Sequence, residues 1–278
     1  MQHKINKFTA VFTAFLILAV IFSADTQAQE SVRVPVIMYH SITDKARNPW
    51  IIPSETLEAD LKYLYENGYT AVFVSELIDY VHGRAALPEK PIVLTFDDGM
   101  YNNLTLALPL IEKYNMKMVI SVIGRPAQLF SEVEDLNERY GHLSWAQLRE
   151  MLDSGRVELA NHTWALHSNE SGRRGCCRKD GECLEEYRRM LIADLMRLQD
   201  ALQQNCGVVP TTFTYPYGSK CAELLEVLRE LGFEATLSCG EGINLFTPGD
   251  TESLYDIKRF NRDPDRSVEY ILEKYRKI

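Results

Sequence analysis

The sequence predicts an α/β fold, a distorted or incomplete (β/α) barrel with about seven parallel strands. Three observations lead there. Short apolar runs alternate with segments of helical periodicity along nearly the whole chain. About seven or eight such units lie in one stretch of roughly 250 residues without a Gly/Ser-rich or Pro-rich linker, which favours one large domain closed into a barrel. The unusual polar residues His40, Asp97, Asp98, His162 and Tyr217 fall where predicted strands end. In barrels that face carries the chemistry, because its loops converge over a packed core.

The elements follow in order. "RVPVIMYHS" is an apolar strand ending at Tyr39-His40. "SETLEADLKYLYENG" reads as a helix with Ser54 as its cap, Leu57, Leu61 and Leu64 on one face and Gly68 as its stop. "YTAVFVS" is a strand, "ELIDYVHG" a short helix, and "PIVLTFDDG" a buried strand that ends in a turn at Asp97-Asp98-Gly99. Residues 104 to 114 have a helical pattern with a kink expected at Pro109, and "KMVISVIG" is the next strand. "LSWAQLREMLDSG" opens on a capping box, Ser144 with Gln147. "RVELANHT" is a strand ending at His162, and Leu184 to about Asn205 forms the longest helix. "TTFTYPYG", "FEATLSCG" and "YDIKRFN" complete the strands, with "AELLEVLRELG" and "SVEYILEKYRK" as helices.

At the amino terminus, Lys4 and Lys7 precede an apolar stretch from Ala10 to Phe22 interrupted only by Thr13, followed by small residues up to Thr26-Gln27-Ala28. That is the layout of a secretory signal, and the apolar part is short for a membrane span. Residues 1–28 are therefore expected to be a signal peptide or an uncleaved anchor, and residues 29–278 one domain working outside the cytoplasm. The net charge of −9 argues against nucleic acid or an anionic membrane surface as the main partner, and is compatible with neutral polymers such as glycans. Six cysteines in an exported chain permit disulfides. In "CCRKDGEC" a loop disulfide is favoured over a metal site, since no histidine lies close by; Cys177 with Cys183 is the first choice.

Two adjacent carboxylates at the end of a buried strand repel each other, and a divalent cation resolves the conflict by favouring both ionised forms. One carboxylate with two imidazoles is a common set for a catalytic metal that keeps positions open. "NHTWALH" offers His162 and His167, five apart, a spacing that suits a strand end and its loop rather than one helix face. Asp98 then completes the set and Asp97 is left free. Taken singly, a DDG turn is usually a turn, and His3, His82 and His142 read as surface or hydrogen-bonded residues. Trp164, between the two histidines, reads equally as a sugar-stacking ring or as packing; Trp50 sits in a loop-like stretch.

At this point the chain resembles the polysaccharide deacetylases, the NodB-homology or carbohydrate esterase family four, over residues 33 to 262. "TFDDG" looks like the first family motif, "HTWALH" the second and "FTYPYG" the third. The resemblance implies Asp97 as general base, Asp98, His162 and His167 as metal ligands, and the backbone N–H of Tyr217 as an oxyanion donor. The histidine spacing is similar to that of the exported poly-N-acetylglucosamine deacetylases, whose first strand supplies a histidine as general acid; here that is His40. Two departures stand out. Thr214 occupies a position where members often carry an arginine oriented on the catalytic Asp, and no histidine follows His167.

The implied reaction is metal-assisted hydrolysis of N-acetyl groups on an amino-sugar polymer of cell wall or exopolysaccharide. Zn²⁺ is the expected cofactor, with Co²⁺, Ni²⁺ or Fe²⁺ as alternatives, and protonated His40 is expected beside ionised Asp97. Two other readings stay open: a catalytically silent glycan-binding protein on the same fold, favoured only by the missing arginine, and an amidohydrolase acting on a small N-acyl metabolite. The sequence leaves the glycan, the choice of N- or O-acetyl group and the oligomeric state open.

Overall fold

Seven parallel strands curl into a ring that stays open on one side. The computed structural model describes residues 30–45, 48–133, 135–170 and 172–275; the segment read as a signal or anchor, His3 included, lies outside them. Among the described residues, no helix is long and apolar enough to cross a membrane.

The chain enters through β1 (Val32–Val34) and β2 (Val36–Tyr39), then makes a small parallel pair, β3 (Ser41–Ile42) and β4 (Ile51–Ile52). Helix α1 (Ser54–Glu66), the two-residue β5 (Thr70–Ala71) and α2 (Val74–Val81) follow. Next come β6 (Pro91–Phe96), α3 (Leu108–Lys113), β7 (Met118–Val122), α4 (Gly124–Glu132) and α5 (Trp145–Asp153). The second half holds β8 (Val157–Asn161), α6 (Leu184–Cys206), β9 (Thr212–Thr214), α7 (Ala222–Glu230), β10 (Ala235–Leu237), β11 (Asn244–Phe246), β12 (Phe260–Asn261) and α8 (Val268–Tyr275). The sheet order is β10-β9-β8-β7-β6-β2-β12, with β5 on the start of β6. Between β10 and β12 the seam holds one bridge, Leu237 with Ile257.

Strand residues alternate between two apolar clusters, as the two-residue period demands. Val36, Val93, Val119, Ala160, Ala235 and Leu237 share one, with α2 supplying Leu77, Ile78 and Val81. Ile37, Leu94, Ile120 and Leu159 belong to the other, with Leu57, Leu61 and Leu64 of α1 and Leu148 of α5.

Several expectations need correction. Ser54 does not cap α1: it is the first helical residue, Pro53 holds the cap position, and the Ser54 N–H donates to Asp44 Oδ1 at 3.2 Å. The strand read in "YTAVFVS" shrinks to β5, because Phe73 already begins α2, its N–H donating to Glu76 Oε2 at 2.7 Å. The kink expected at Pro109 is a π-helical turn over Asn103–Ala107, just ahead of the proline that lacks an N–H donor. The cysteines are unbridged; Cys183 is exposed before α6, and Cys177 lies beside Cys221 instead. The expectation missed α4 and β11, the latter antiparallel to β1.

A buried ion pair ties the chain's last elements to its first helix. Arg262, after β12, reaches Asp60 of α1 at 2.6 and 3.2 Å, and Asp60 also accepts from the Tyr39 hydroxyl and the Val268 N–H, both at 3.3 Å. Both partners are nearly inaccessible, so losing one strands the other without water. Replacing Arg262→Met is expected to destabilise the fold by about 3–5 kcal/mol in urea titration. Adding Asp60→Leu is expected to recover part of that; a double variant as unstable as the sum of the two singles would contradict it.

Candidate active site

Strand register gathers the polar residues. Tyr39 is level with Phe96, so His40 and Asp97 leave adjacent strands side by side. Val122 is level with Asn161 and Asn161 with Phe213, which brings His162 next to Thr214. Three non-glycine residues at these ends take left-handed backbone: Asp98 (φ 72°), Thr163 (φ 73°) and Tyr217 (φ 55°). Such angles turn a side chain out of the strand's alternation and are held only where surroundings fix them. At Thr163 they do: its N–H donates to Asn161 Oδ1 at 2.9 Å and its carbonyl accepts from Gly124 N–H at 3.0 Å.

Asp98 Oδ1 lies 3.6 Å from His162 Nε2 and 3.5 Å from His167 Nε2, and the three ligand atoms are all within 4.8 Å of one another. Two ligands held about 2.0–2.2 Å from one tetrahedral cation stand about 3.4 Å apart, so the spacing fits an ion such as Zn²⁺. Asp98 Oδ1 is buried and has no hydrogen-bond partner among the described residues, the signature of an atom aimed at something else. His162 Nδ1 lies 2.8 Å from the Thr214 carbonyl. A carbonyl can only accept, so Nδ1 carries the proton and Nε2 presents its lone pair to the cluster. Burial pushes the Asp98 carboxyl up, but the surrounding imidazoles of His162, His40 and His167 outweigh it and hold the group well below the usual range. His167 is shifted down by burial and by His162.

Asp97 continues the alternation of Val93 and Thr95 and is buried. Its partner is Arg259, which precedes β12 and is wholly inaccessible. The guanidinium binds both Asp97 oxygens, at 2.7 and 2.8 Å, donates to Thr95 Oγ1 at 3.1 Å and gives its Nε–H to the Ser238 carbonyl at 2.7 Å. Burial alone would raise the Asp97 pKa; the Arg259 charge and fork, helped by His162 and His40, bring it to about 2.

Arg259 is the functional residue that the sequence reading missed. It supplies, from just ahead of β12, the guanidinium looked for at position 214, where Thr214 instead hydrogen-bonds Ser121 at 2.8 Å. The one available signal was an arginine inside the strand-like run "YDIKRFN".

His40 is half-buried, its inaccessible Nδ1 has no partner among the described residues, and its ring centroid lies 4.8 Å from that of Trp50. Burial lowers its pKa more than Asp97 and Asp98 raise it. The Tyr217 ring packs 4.4 Å from His167, and its residue is 39% exposed, which gives the cluster a solvent side. Trp50 is 49% exposed, whereas Trp164 is buried, stacked on Trp145 and covered by Arg197 at 4.1 Å. His142 is hydrogen-bonded to the Asp98 carbonyl at 2.9 Å, and His82 faces Glu234 at 3.4 Å.

The chain is similar in sequence and fold to several N-deacetylases. A poly-beta-1,6-N-acetyl-D-glucosamine N-deacetylase of Escherichia coli K12 is 29% identical over 227 residues, 74% of this chain but 34% of that protein. The chain thus spans about a third of the length of the curated relatives it matches first. Among solved structures, a de-N-acetylase from Aggregatibacter actinomycetemcomitans superposes with a TM-score of 0.75 at 26% identity, covering 87% of this chain and 99% of that one. IcaB from Ammonifex degensii gives 0.70 at 26% identity, covering 85% and 94%. Residues 84–236 match the family described as polysaccharide deacetylase, a span that includes Asp97, Asp98, His162, His167 and Tyr217 but neither His40 nor Arg259. With more than half its length inside that match and the same curled sheet as these structures, the chain belongs to the polysaccharide deacetylase family.

Proposed function

We propose that this chain hydrolyses N-acetyl groups on an amino-sugar polymer of the poly-N-acetylglucosamine type, with a divalent cation held by Asp98, His162 and His167. The observation that carries the proposal is an ionised, arginine-held carboxylate, Asp97, adjoining a three-ligand cluster with a solvent side. When bound, the cation supplies Lewis acidity, acidifying water and polarising an acyl carbonyl.

The chain's own residues do the rest. Asp97 accepts a proton from the attacking water; although Arg259 engages both oxygens, each keeps a further lone pair. His40 delivers a proton to the departing amine nitrogen, the step amide cleavage needs. The Tyr217 N–H donates to the oxyanion as charge develops there. Trp50, exposed and packed on His40, offers a face for a sugar ring.

Residues 29–278 act as one catalytic domain in this proposal, exported by residues 1–28. The silent-binder alternative rested on Thr214, and the Arg259 fork on Asp97 supports turnover instead. The names of the Escherichia coli and Aggregatibacter relatives support N-acetyl chemistry and a polymeric substrate.

Acetate release from N-acetylglucosamine oligomers by the protein lacking residues 1–28 is expected to vanish on metal stripping and return with Zn²⁺. Asp97→Asn is expected to lower turnover by about 10²-fold or more while bound metal stays stoichiometric. Equal activity on monomers would point to a small N-acyl substrate, and metal binding without acetate release to the silent reading. His167→Ala is expected to lose the metal itself, read by elemental analysis. With Asp97 near 2, the acid limb of kcat/KM does not belong to it in the native protein. Arg259→Met removes the cation that opposes burial, so Asp97 becomes protonated at higher pH and the acid limb moves upward; an unmoved limb would show that Arg259 does not act through Asp97.

A further inference from the structure

Cys177 and Cys221 take no part in the proposed chemistry, yet the fold brings them together beside it. Tyr187, in the first turn of α6, donates its hydroxyl to the Cys176 carbonyl at 2.8 Å and stands 3.6 Å from Cys221 Sγ. Cys177 lies beside Cys221, the N-cap residue of α7. One residue on, Arg178 pairs with Glu223 in the first turn of α7 at 3.3 Å. Arg173 with Glu182 closes the base of the same loop, and Cys176 is buried among Tyr187, Leu191, Leu224 and Val227. The two thiols therefore face each other from segments already fixed on both sides.

The loop also backs the Tyr-Pro-Tyr turn. A Cβ on Gly175 would come within 2.8 Å of the Pro216 carbonyl, and the Arg174 guanidinium lies 5.8 Å from the Tyr217 ring centroid. We propose that Cys177 and Cys221 form a disulfide that clamps the 172–183 loop onto the start of α7, behind the Tyr217 amide. The bridge does not depend on the proposed activity.

Formation is a two-electron oxidation by a small-molecule disulfide. The Cys221 thiolate, favoured at a helix N-terminus and by the adjoining Cys177, attacks one sulfur of the oxidant and expels the other as a thiol. Cys177 loses its proton and displaces the remaining half, so the Cys177–Cys221 bond forms and the oxidant leaves as two thiols. Closing a loop of about 40 residues restricts the unfolded chain and stabilises the folded one.

The test uses the full chain equilibrated with oxidised glutathione, alkylated and digested with trypsin without reduction. Cleavage after Arg174, Arg178, Lys220 and Arg229 isolates residues 175–178 and 221–229, while Cys183 travels in residues 180–188. Mass spectrometry is expected to find 175–178 linked to 221–229 in the native sequence and the link absent in Cys177→Ser and Cys221→Ser. The oxidised native protein is expected to melt several degrees above its reduced form, with no such shift in either variant. A link to 180–188, a link that survives Cys177→Ser through Cys176, or a Cys177 that stays alkylated as a free thiol would each overturn the proposal.

Discussion

A guanidinium buried in the seam of the barrel joins the fold to its chemistry. Taking Arg259 out of water is expensive, and the cost is offset only because its donors meet the Ser238 carbonyl, the Thr95 hydroxyl and both Asp97 oxygens. Its place is set by the sheet: β10 and β12 do not pair along their length, and the gap between them admits the side chain. A fully laddered barrel would leave less room there. The same interaction therefore fills an unpaired seam and keeps Asp97 ionised against burial. Asp60 with Arg262 repeats the device a few residues on, pinning the segment after β12 to α1.

Much of this was legible in sequence, because the features concerned are local. Apolar runs mark β6, β7 and β8, and the Ser144–Gln147 capping box forms as the spacing demands. Adjacent carboxylates at the end of β6 and two histidines after β8 signal a cation site without any knowledge of the fold. What escaped depends on distance along the chain. Arg259 and Asp97 are 162 residues apart, and Asp60 and Arg262 are 202 apart; no local periodicity links them. A charged residue in a strand reads as surface until its partner is seen. The downward shift of the His40 pKa escaped for a related reason: two nearby carboxylates act to raise it, and burial outweighs them.

The strand ends also concentrate backbone strain. Left-handed conformations at Asp98, Thr163 and Tyr217 each cost about 1–3 kcal/mol relative to relaxed backbone. They release Asp98 from the plane in which Asp97 lies, allowing neighbours in sequence to serve different roles. Asp194 at 2.8 and 2.9 Å from the Trp164 and Ala165 amides anchors the loop between His162 and His167. The fixed packing of α6 thus maintains the spacing of two ligands that belong to a loop.

The orientation of His162 by the Thr214 carbonyl has an evolutionary consequence. A main-chain oxygen persists under every substitution that preserves the strand, so the tautomer of this ligand is insulated from the identity of residue 214. The amide proposed for Tyr217 and the Asp98 carbonyl that holds His142 share that insulation. Side chains at such positions are free to drift, provided some other residue supplies what the old one gave. A guanidinium arriving from just ahead of β12 while position 214 holds threonine is the kind of relocation this freedom permits: the site can exchange its side-chain supports one at a time without passing through a disordered ligand set.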